Sequence, residues 1–534
     1  MTTIGRFKEP WIDAIRQSSS ACSDDFPSYA CSEPEALVAT SRPVSFEIGT
    51  GASIYTRSLL PAILEAEHEV ILVTCFWAQS STLNALRETL EQLAKLREER
   101  IRSLHPTRGT LSPLEVRICF SSRSFFQKLF HPRSKDGYIY PPSAWVSKLG
   151  LPEPELLGAG RINLQVKSLF FLPFSVMHPK FLIVDRQRAW LPSANVSWEP
   201  WLEGCVELTG QVVTTLLRFY RSVWDRNLET DKGLPPTTDR PQRRVDGLSS
   251  HRRAGLISIQ SPATHMVTLQ LGDIPTILLP SSHHCNPRFR PFPWQRSPHP
   301  PYTPLNCAIL RLIAMAEKKI YIQTPNLTSV AVIDALLEAI NRGIQVTVVT
   351  SKGLMVLEQI LTGGTTTEWC LRLFVKRYKT LLKRSVHSVG SDSVDSNAMV
   401  DLEARPLRLG YLKIFYFCPL LENQVQQVPE EPVHSHLKLV MVDDEYVVLG
   451  SGNMDRASWF TSQELGILLQ SNEFVTTVCD TVSQALRGRT SLFFDSNQST
   501  TREWDILGET YHKFHLAQVP PPRASSDPNP HDTT

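Results

Sequence analysis

The chain has 534 residues, 42% of them hydrophobic, 20% charged and 9% aromatic. That is too long for one ordinary core and too apolar for a disordered protein, so two globular units with linkers are expected. With 55 basic and 53 acidic residues the formal charge is +2, which excludes the strong field of a charge-driven nucleic-acid binder and leaves room only for a local basic patch.

Residues 1–44 mix Ser, Asp and Pro and read as a flexible segment with no secretory signal pattern. A first lobe is expected over 45–228. Its opening, SLLPAILEAEHE, has helical spacing and runs into the buried-strand pattern EVILVTCF; the helix STLNALRETLEQLAKLREER and the strand EVRICF follow. Residues 229–303 carry Pro/Arg clusters around one apolar stretch, MVTLQLGDIPTILL, and read as an inter-lobe connection with a strand or two. From 304 to 516 the same order returns: NCAILRLIAMAEKK into KIYIQT, then SVAVIDALLEAINRG and QVTVVT. Each helix-to-strand junction carries Ala-Glu-x-x-(Val/Ile), at Ala66-Glu67 and Ala316-Glu317. A mobile insertion is expected at about 386–403, around VHSVGSDSVDSN, and a disordered tail at 517–534. Two passes of helix-strand alternation with continuous apolar strands argue for a tandem duplication of α/β lobes.

The second half of each lobe repeats a constellation. VMHPKFLIVDRQRAWLPSANVSWEPWLEGCVEL and HSHLKLVMVDDEYVVLGSGNMDRASWFTSQELGIL both contain His-x-Lys-x4-Asp: His178, Lys180, Asp185 and His436, Lys438, Asp443. From each His a Ser follows at +15 (Ser193, Ser451), an Asn at +17 (Asn195, Asn453), and a Glu at +29 (Glu207) or +28 (Glu464). With Lys and Asp each at about 5% of residues, the chain's histidines would give about 0.04 chance matches. Two matches in a shared Ser/Asn register are therefore not coincidence.

PKFLIVD and LKLVMVD read as strands, which places His and Lys on one face and the Asp, of opposite parity at the strand end, in a supporting role. The return strands AWLPSAN and YVVLGSGN end in turns that offer hydroxyl, amide and N–H donors to an anion. Two half-sites related by a pseudo-twofold axis would supply two His, two Lys and two Asn to one anionic group. That set suits phosphodiester cleavage without a metal: one His attacks phosphorus, the other protonates the leaving oxygen, and Lys and Asn stabilise the transition state. Ser193 and Ser451 count among the phosphate-binding candidates. Glu207 and Glu464 are the carboxylates suited to hold the imidazoles.

At these residues the chain resembles the phospholipase D superfamily, over about 45–226 and 304–487. GSGN at Gly450–Asn453 fits its pattern, whereas Pro192 of PSAN departs from the usual turn Gly. The resemblance implies two α/β sandwich lobes forming a pseudo-twofold dimer with one shared active site, a phosphohistidine intermediate and no cofactor. It makes His178 the nucleophile and His436 the acid/base. Because Asp185 and Asp443 are both present, the chain does not look like tyrosyl-DNA phosphodiesterase, a relative lacking the motif Asp.

Two motifs in one chain tilt the substrate toward glycerophospholipid, by hydrolysis or by cardiolipin-synthase-like phosphatidyl transfer, and make an obligate partner unnecessary. Nuclease or nucleic-acid phosphodiesterase activity is the alternative, with nucleic acid the less favoured partner. In WCLRLFVKRYKTLLKR, Leu371, Phe374, Val375, Tyr378, Leu381 and Leu382 oppose a basic face, so this helix either covers the sheet or lies on anionic lipid as a peripheral membrane contact. Scattered cysteines and the absence of a roughly 20-residue apolar run lead to the expectation of a reduced protein, cytoplasmic or peripherally membrane-associated. His283, His284 and Cys285 lack a second ligand pair for zinc. Trp77, Trp198, Trp201 and Trp459 read as channel-lining or core residues, and His434, two residues before His436, as a pocket-lining or a partly exposed strand-entry histidine.

Overall fold

The computed structural model describes residues 3–17, 27–103, 111–124, 127, 137–171, 175–197, 200–225, 263–281, 299–391, 409–420 and 431–497. The expected loop residues beyond 391, most of the inter-lobe connection, the tail, Trp198 and the 283–285 cluster lie outside them.

The chain starts with helix α1 (Thr3–Gln17) and strand β1 (Val38–Thr50). The first lobe continues with β2 (Glu69–Phe76), α2 (Ser81–Ser103), β3 (Leu114–Ser122), β4 (Ile162–Ser168), β5 (Phe181–Val184), β6 (Arg188–Pro192), β7 (Trp201–Thr209) and α3 (Gln211–Trp224). Between the lobes stand β8 (His265–Thr268) and β9 (Ile274–Ser281). The second lobe opens with α4 (Pro304–Met315), β10 (Lys319–Thr324), α5 (Val330–Asn341), β11 (Gln345–Ser351), α6 (Val356–Gly363), α7 (Thr367–Ser391) and β12 (Leu412–Phe417). It ends with β13 (His434–Ser435), β14 (Leu439–Val442), β15 (Tyr446–Gly450), α8 (Arg456–Phe460), β16 (Glu464–Gln470), α9 (Asn472–Ala485) and β17 (Thr490–Asp495).

The duplication is visible in the pairing. In the first lobe β4, β3 and β2 run parallel, and β5, β6 and β7 follow antiparallel. In the second, β12, β11 and β10 run parallel, followed antiparallel by β14, β15 and β16. Parallel strands need crossovers, and the helices that make them cover the sheet faces, which is why these strands read as near-continuous apolar runs.

The two halves do not fold as separate domains. Residues 1–496 form one compact unit, and β1 joins the two sheets. Val38–Ser41 pair with β9, which continues the second-lobe sheet, while Arg42–Thr50 pair with β7 of the first. The register shifts between Pro43 and Ser45, where proline lacks the N–H a regular ladder needs and the strand bends from one sheet to the other.

Two expectations are corrected. Within the 1–44 segment the described residues are not a flexible leader: α1 buries Phe7, Trp11, Ile12 and Ile15, and Trp11 Nε1 donates to Pro304 O at 3.0 Å. Their i, i+4, i+5, i+8 spacing is an amphipathic helix signal, masked by the surrounding Ser, Asp and Pro. The insertion expected to start at 386 does not start there either, because α7 continues through Ser391. Among the described residues no helix is long and apolar enough to cross a membrane.

Candidate active site

The strand endings of the two lobes meet at the motif histidines, and each lobe holds the other's. His178 N donates to Gln463 O at 2.9 Å, and His436 N donates to Leu202 O at 2.8 Å. The residue after each acceptor is a buried glutamate aimed at the same histidine. Glu464 Oε2 lies 2.7 Å from His178 Nδ1, and Glu203 Oε1 lies 2.7 Å from His436 Nδ1. With Nδ1–H given to the carboxylate, each Nε2 carries the ring's lone pair.

Glu464 is therefore placed as expected and Glu207 is not. Glu207 accepts from Arg188 Nε at 2.9 Å and from Ser45 Oγ at 3.2 Å, behind the site. Glu203, which sequence reasoning missed, takes its place. Ser193 is followed by Glu203 after ten residues and Ser451 by Glu464 after thirteen, so counting at constant offset from the histidine passes over the right carboxylate. The paired-strand register could have found it: Pro192 opposes Cys205 as Gly450 opposes Gly466, which makes Glu203 the equivalent of Glu464.

Ser193 and Ser451 take a different role from phosphate binding. Ser193 Oγ donates to Glu203 and accepts from Gly204 N; Ser451 Oγ donates to Glu464 Oε2 and accepts from Leu465 N. Each hydroxyl proton is committed to a glutamate, so neither serine is free to donate to a phosphate. Ser458 Oγ adds a 2.7 Å bond to the other oxygen of Glu464, a contact sequence reasoning also missed.

The lysines fall as predicted on the histidine face. Lys180 and Lys438 are both buried at 3% exposure. Lys180 Nζ donates to His178 O at 2.9 Å, and Lys438 Nζ lies 2.8 Å from the His436 ring nitrogens. Trp201 packs over the same ring, centroids 4.8 Å apart, so this tryptophan lines the site. Trp77 and Trp459 belong to the core instead. His434 stands half-buried opposite Trp201 in the β7–β13 register.

Asp185 and Asp443 do not reach the reacting group. Each sits in a left-handed turn (φ 53° and 54°) at the far end of its strand and accepts three backbone N–H groups. Asp185 takes those of Glu67, His68 and Glu69, and Asp443 those of Glu317, Lys318 and Lys319. These N–H groups open β2 and β10, at the repeated Ala-Glu junctions. At about 3.3 Å per residue, each Asp lies some 16 Å along the strand from the motif lysine. Each Asp is thus placed on backbone at the far end of its strand and does not face the motif lysine.

The asparagines differ between lobes. Asn195 Oδ1 accepts from Cys75 N and Phe76 N, both at 3.2 Å, and ties the motif turn to the end of β2. Asn453 Nδ2 donates to Asp455 Oδ2 at 3.0 Å, and its buried Oδ1 has no partner among the described residues. Asp455 also caps α8 by accepting from Ser458 N at 2.8 Å.

Burial dominates the electrostatics. It pushes Lys438 down to about 7, with Glu203 opposing and Lys180 reinforcing the drop, and raises Glu203 to about 7 against Lys438 and Ser193. It also lowers His436 well below the ordinary histidine value, helped by both lysines. His178 is lowered by burial in part offset by Glu464. Burial alone would raise Glu464, but His178, Lys180 and Ser451 outweigh it and hold the group below the ordinary value. The histidines are thus neutral near pH 7, and two buried amines share the space beside them. Among the described residues no group of three His, Cys, Asp or Glu side chains could hold a metal ion.

Residues 309–485 match the family described as cardiolipin synthase, PLD-like domain. The match to a phospholipase D-like domain thus lies within the second lobe and spans the motif His436, Lys438 and Asp443. No curated protein matches it. Among solved structures it is similar to phosphatidylserine synthase of Haemophilus influenzae, with 15% identity, 86% of this chain and 90% of that one covered, and a TM-score of 0.49. It is also similar to Nuc, a phospholipase D family member from Salmonella typhimurium (13% identity, 35% and 90% covered, TM-score 0.23), and to polyphosphate kinase of Porphyromonas gingivalis (11% identity, 82% and 46% covered, TM-score 0.40).

The six apolar residues noted in α7 face the protein. Leu371, Phe374 and Tyr378 are buried, and Val375, Leu381 and Leu382 pack against the core. The apolar face therefore covers the sheet and is not available to lipid.

Proposed function

We propose that this chain is a phospholipase D-type phosphodiesterase that cleaves glycerophospholipids, by hydrolysis or by transfer of the phosphatidyl group to an alcohol, without a metal and through a phosphohistidine. The observation that carries the reading is the pair of cross-lobe Glu–His contacts, 2.7 Å each, with a buried motif lysine bonded to each histidine, Lys180 at the His178 carbonyl and Lys438 at the His436 ring. The matched family's description supports the choice of phospholipid.

His178 Nε2 attacks phosphorus as the P–O bond to the headgroup alcohol breaks, and His436 Nε2–H delivers its proton to the leaving oxygen. His436 then removes a proton from water or an acceptor alcohol, whose oxygen attacks phosphorus as the P–Nε2 bond breaks. Lys180 and Lys438 donate to the non-bridging oxygens as charge accumulates there. Burial and the neighbouring lysine charges depress His436; the anionic diester offsets the lysine part and so favours the protonated ring that must give its proton. Two features favour His178 as nucleophile. Its side chain is 16% exposed against 4% for His436, and its partner Glu464 is the more firmly anionic of the two carboxylates.

The test is turnover of phosphatidylcholine or phosphatidylglycerol vesicles with a primary alcohol present. A phosphatidyl-alcohol product that persists in EDTA and disappears in His178→Ala and His436→Ala is expected. Unchanged activity in either variant sinks the reading. DNA or RNA cleavage with steep inverse salt dependence, and no lipid turnover, would establish the nuclease alternative.

A further inference from the structure

Helix α6 is inside out. Its sequence, VLEQILTG, places Val356, Leu357, Ile360 and Leu361 where an amphipathic helix keeps its core-facing residues. Its buried side chain is nevertheless Gln359, while Leu357, Ile360 and Leu361 are 71%, 49% and 60% exposed. The orientation is locked. Gln359 Nε2 donates to Leu354 O at 2.6 Å, and its Oε1 accepts from Thr367 N at 2.6 Å and Thr367 Oγ1 at 2.9 Å. Rolling the helix to bury the leucines would strand these buried polar groups.

The start of α7 enlarges the patch with Trp369 at 60% and Leu373 at 42% exposure. At 100° per residue Trp369, Leu373, Lys376 and Lys383 share one helix face, with Lys379 on its border. These three lysines are exposed and have no ion-pair partner among the described residues. Exposed aliphatics on one helix, followed by a tryptophan and a basic row on the next, are the composition of a bilayer-interface contact.

The patch is joined to the candidate active site by short covalent and hydrogen-bonded links. Thr367 Oγ1, which bonds Gln359, also accepts from Leu327 N. Leu327 bridges Met454, the residue after Asn453, and Arg456 N donates to Thr328 Oγ1. Gly363 at the end of α6 lies against the Arg456 side chain.

We propose that α6 and the first turns of α7 form a membrane-docking surface for an anionic bilayer, seating Leu357, Ile360, Leu361, Trp369 and Leu373 in the interface with Lys376, Lys379 and Lys383 at the lipid headgroups. Charge selects this occupant over a second copy of the chain, since apposing two such faces would bring unpaired lysines together. The inference rests on the phospholipid reading for its purpose, not for its measurement.

The experiment is flotation of the full chain with phosphatidylcholine vesicles, with and without phosphatidylglycerol, alongside turnover of the soluble diester bis(4-nitrophenyl) phosphate. Wild type is expected to float, more strongly with phosphatidylglycerol. Leu357→Glu/Leu361→Glu and Trp369→Glu are expected to weaken vesicle partitioning at least ~10-fold while leaving soluble-diester turnover unchanged. Lys376→Glu/Lys383→Glu is expected to remove the phosphatidylglycerol preference. Wild type that does not float, patch variants that float like wild type, or a wild-type dimer that these variants dissociate would each overturn the proposal. Flotation of His178→Ala at wild-type strength supports docking even if no lipid turnover is found, which separates the two readings.

Discussion

Exchanging Glu203 for Gln keeps its size but removes the charge 2.7 Å from His436 Nδ1. In the proposed mechanism His436 alternates between imidazole and imidazolium, and Glu203 stabilises the charged form. A charge-assisted hydrogen bond of this type is worth about 1.5–3 kcal/mol, or roughly 10- to 150-fold in rate. Release of the tautomer adds to that, so kcat is expected to fall by about 10²–10³-fold. Stability should move the other way. Burial raises the Glu203 pKa to about 7, so its ionised form costs folding energy at pH 8 and the Gln variant should melt no lower than wild type there. A merely structural glutamate would lower the melting temperature instead. The assay pairs initial rates with thermal melts for Glu203→Gln and for Glu207→Gln, four residues along the same strand. Glu207 binds Arg188 and Ser45, so its variant should keep kcat and lose about 1–2 kcal/mol of stability. Retained activity in Glu203→Gln with loss in Glu207→Gln would refute the reasoning.

Three further outcomes are expected. Asp443→Ala orphans the N–H groups of Glu317, Lys318 and Lys319 and should cost about 2–3 kcal/mol in urea unfolding, with the kcat of the folded enzyme changed only a few-fold; a selective loss of kcat would contradict the structural role. Lys438, held at about 7 by burial, should give the free enzyme an alkaline fall in kcat/KM near pH 7 as its charge is lost, and Lys438→Arg should move that limb upward whatever its absolute rate; an unmoved limb would assign it to another group. Glu47, pushed to about 7 by burial against Ser58 and Arg57, binds its proton more tightly folded than unfolded. The contribution of Glu47 to stability should therefore fall as pH rises from about 4.5 to 7, by a few kcal/mol at most, so the difference in stability between Glu47→Gln and wild type should shift in favour of the variant over that range; parallel pH curves would exclude it.

The duplication and the His-Lys pairs were legible because both follow from local rules: apolar runs of strand length and side-chain parity along a strand. The role of the motif Asp was half legible. Parity excluded Asp185 and Asp443 from the reacting face, but only the fold brings each to the N–H groups opening β2 and β10. Glu203 was hidden because the segment between motif serine and glutamate is three residues shorter in the first lobe, and strand pairing, not distance along the chain, decides which carboxylate meets His436. Ser193 and Ser451 misled for a related reason, since a hydroxyl in a turn suits an anion until a buried carboxylate competes for its proton. The Trp11 helix carries a readable apolar period, set beside a Ser-, Asp- and Pro-rich stretch whose composition suggests disorder. The exposed face of α6 ran against the amphipathic rule altogether, because hydrogen bonds to Gln359 fix which side faces in.

The central claim is that two half-sites cooperate through a covalent intermediate on one of them. Rapid acid quench during turnover of a phospholipid labelled in its phosphate, followed by peptide mapping, measures this directly. The account predicts a phospho-adduct on the peptide containing His178, absent from His178→Ala and accumulating in His436→Ala. An adduct on His436 would reverse the division of labour, and lipid turnover with no adduct at either histidine would contradict the mechanism.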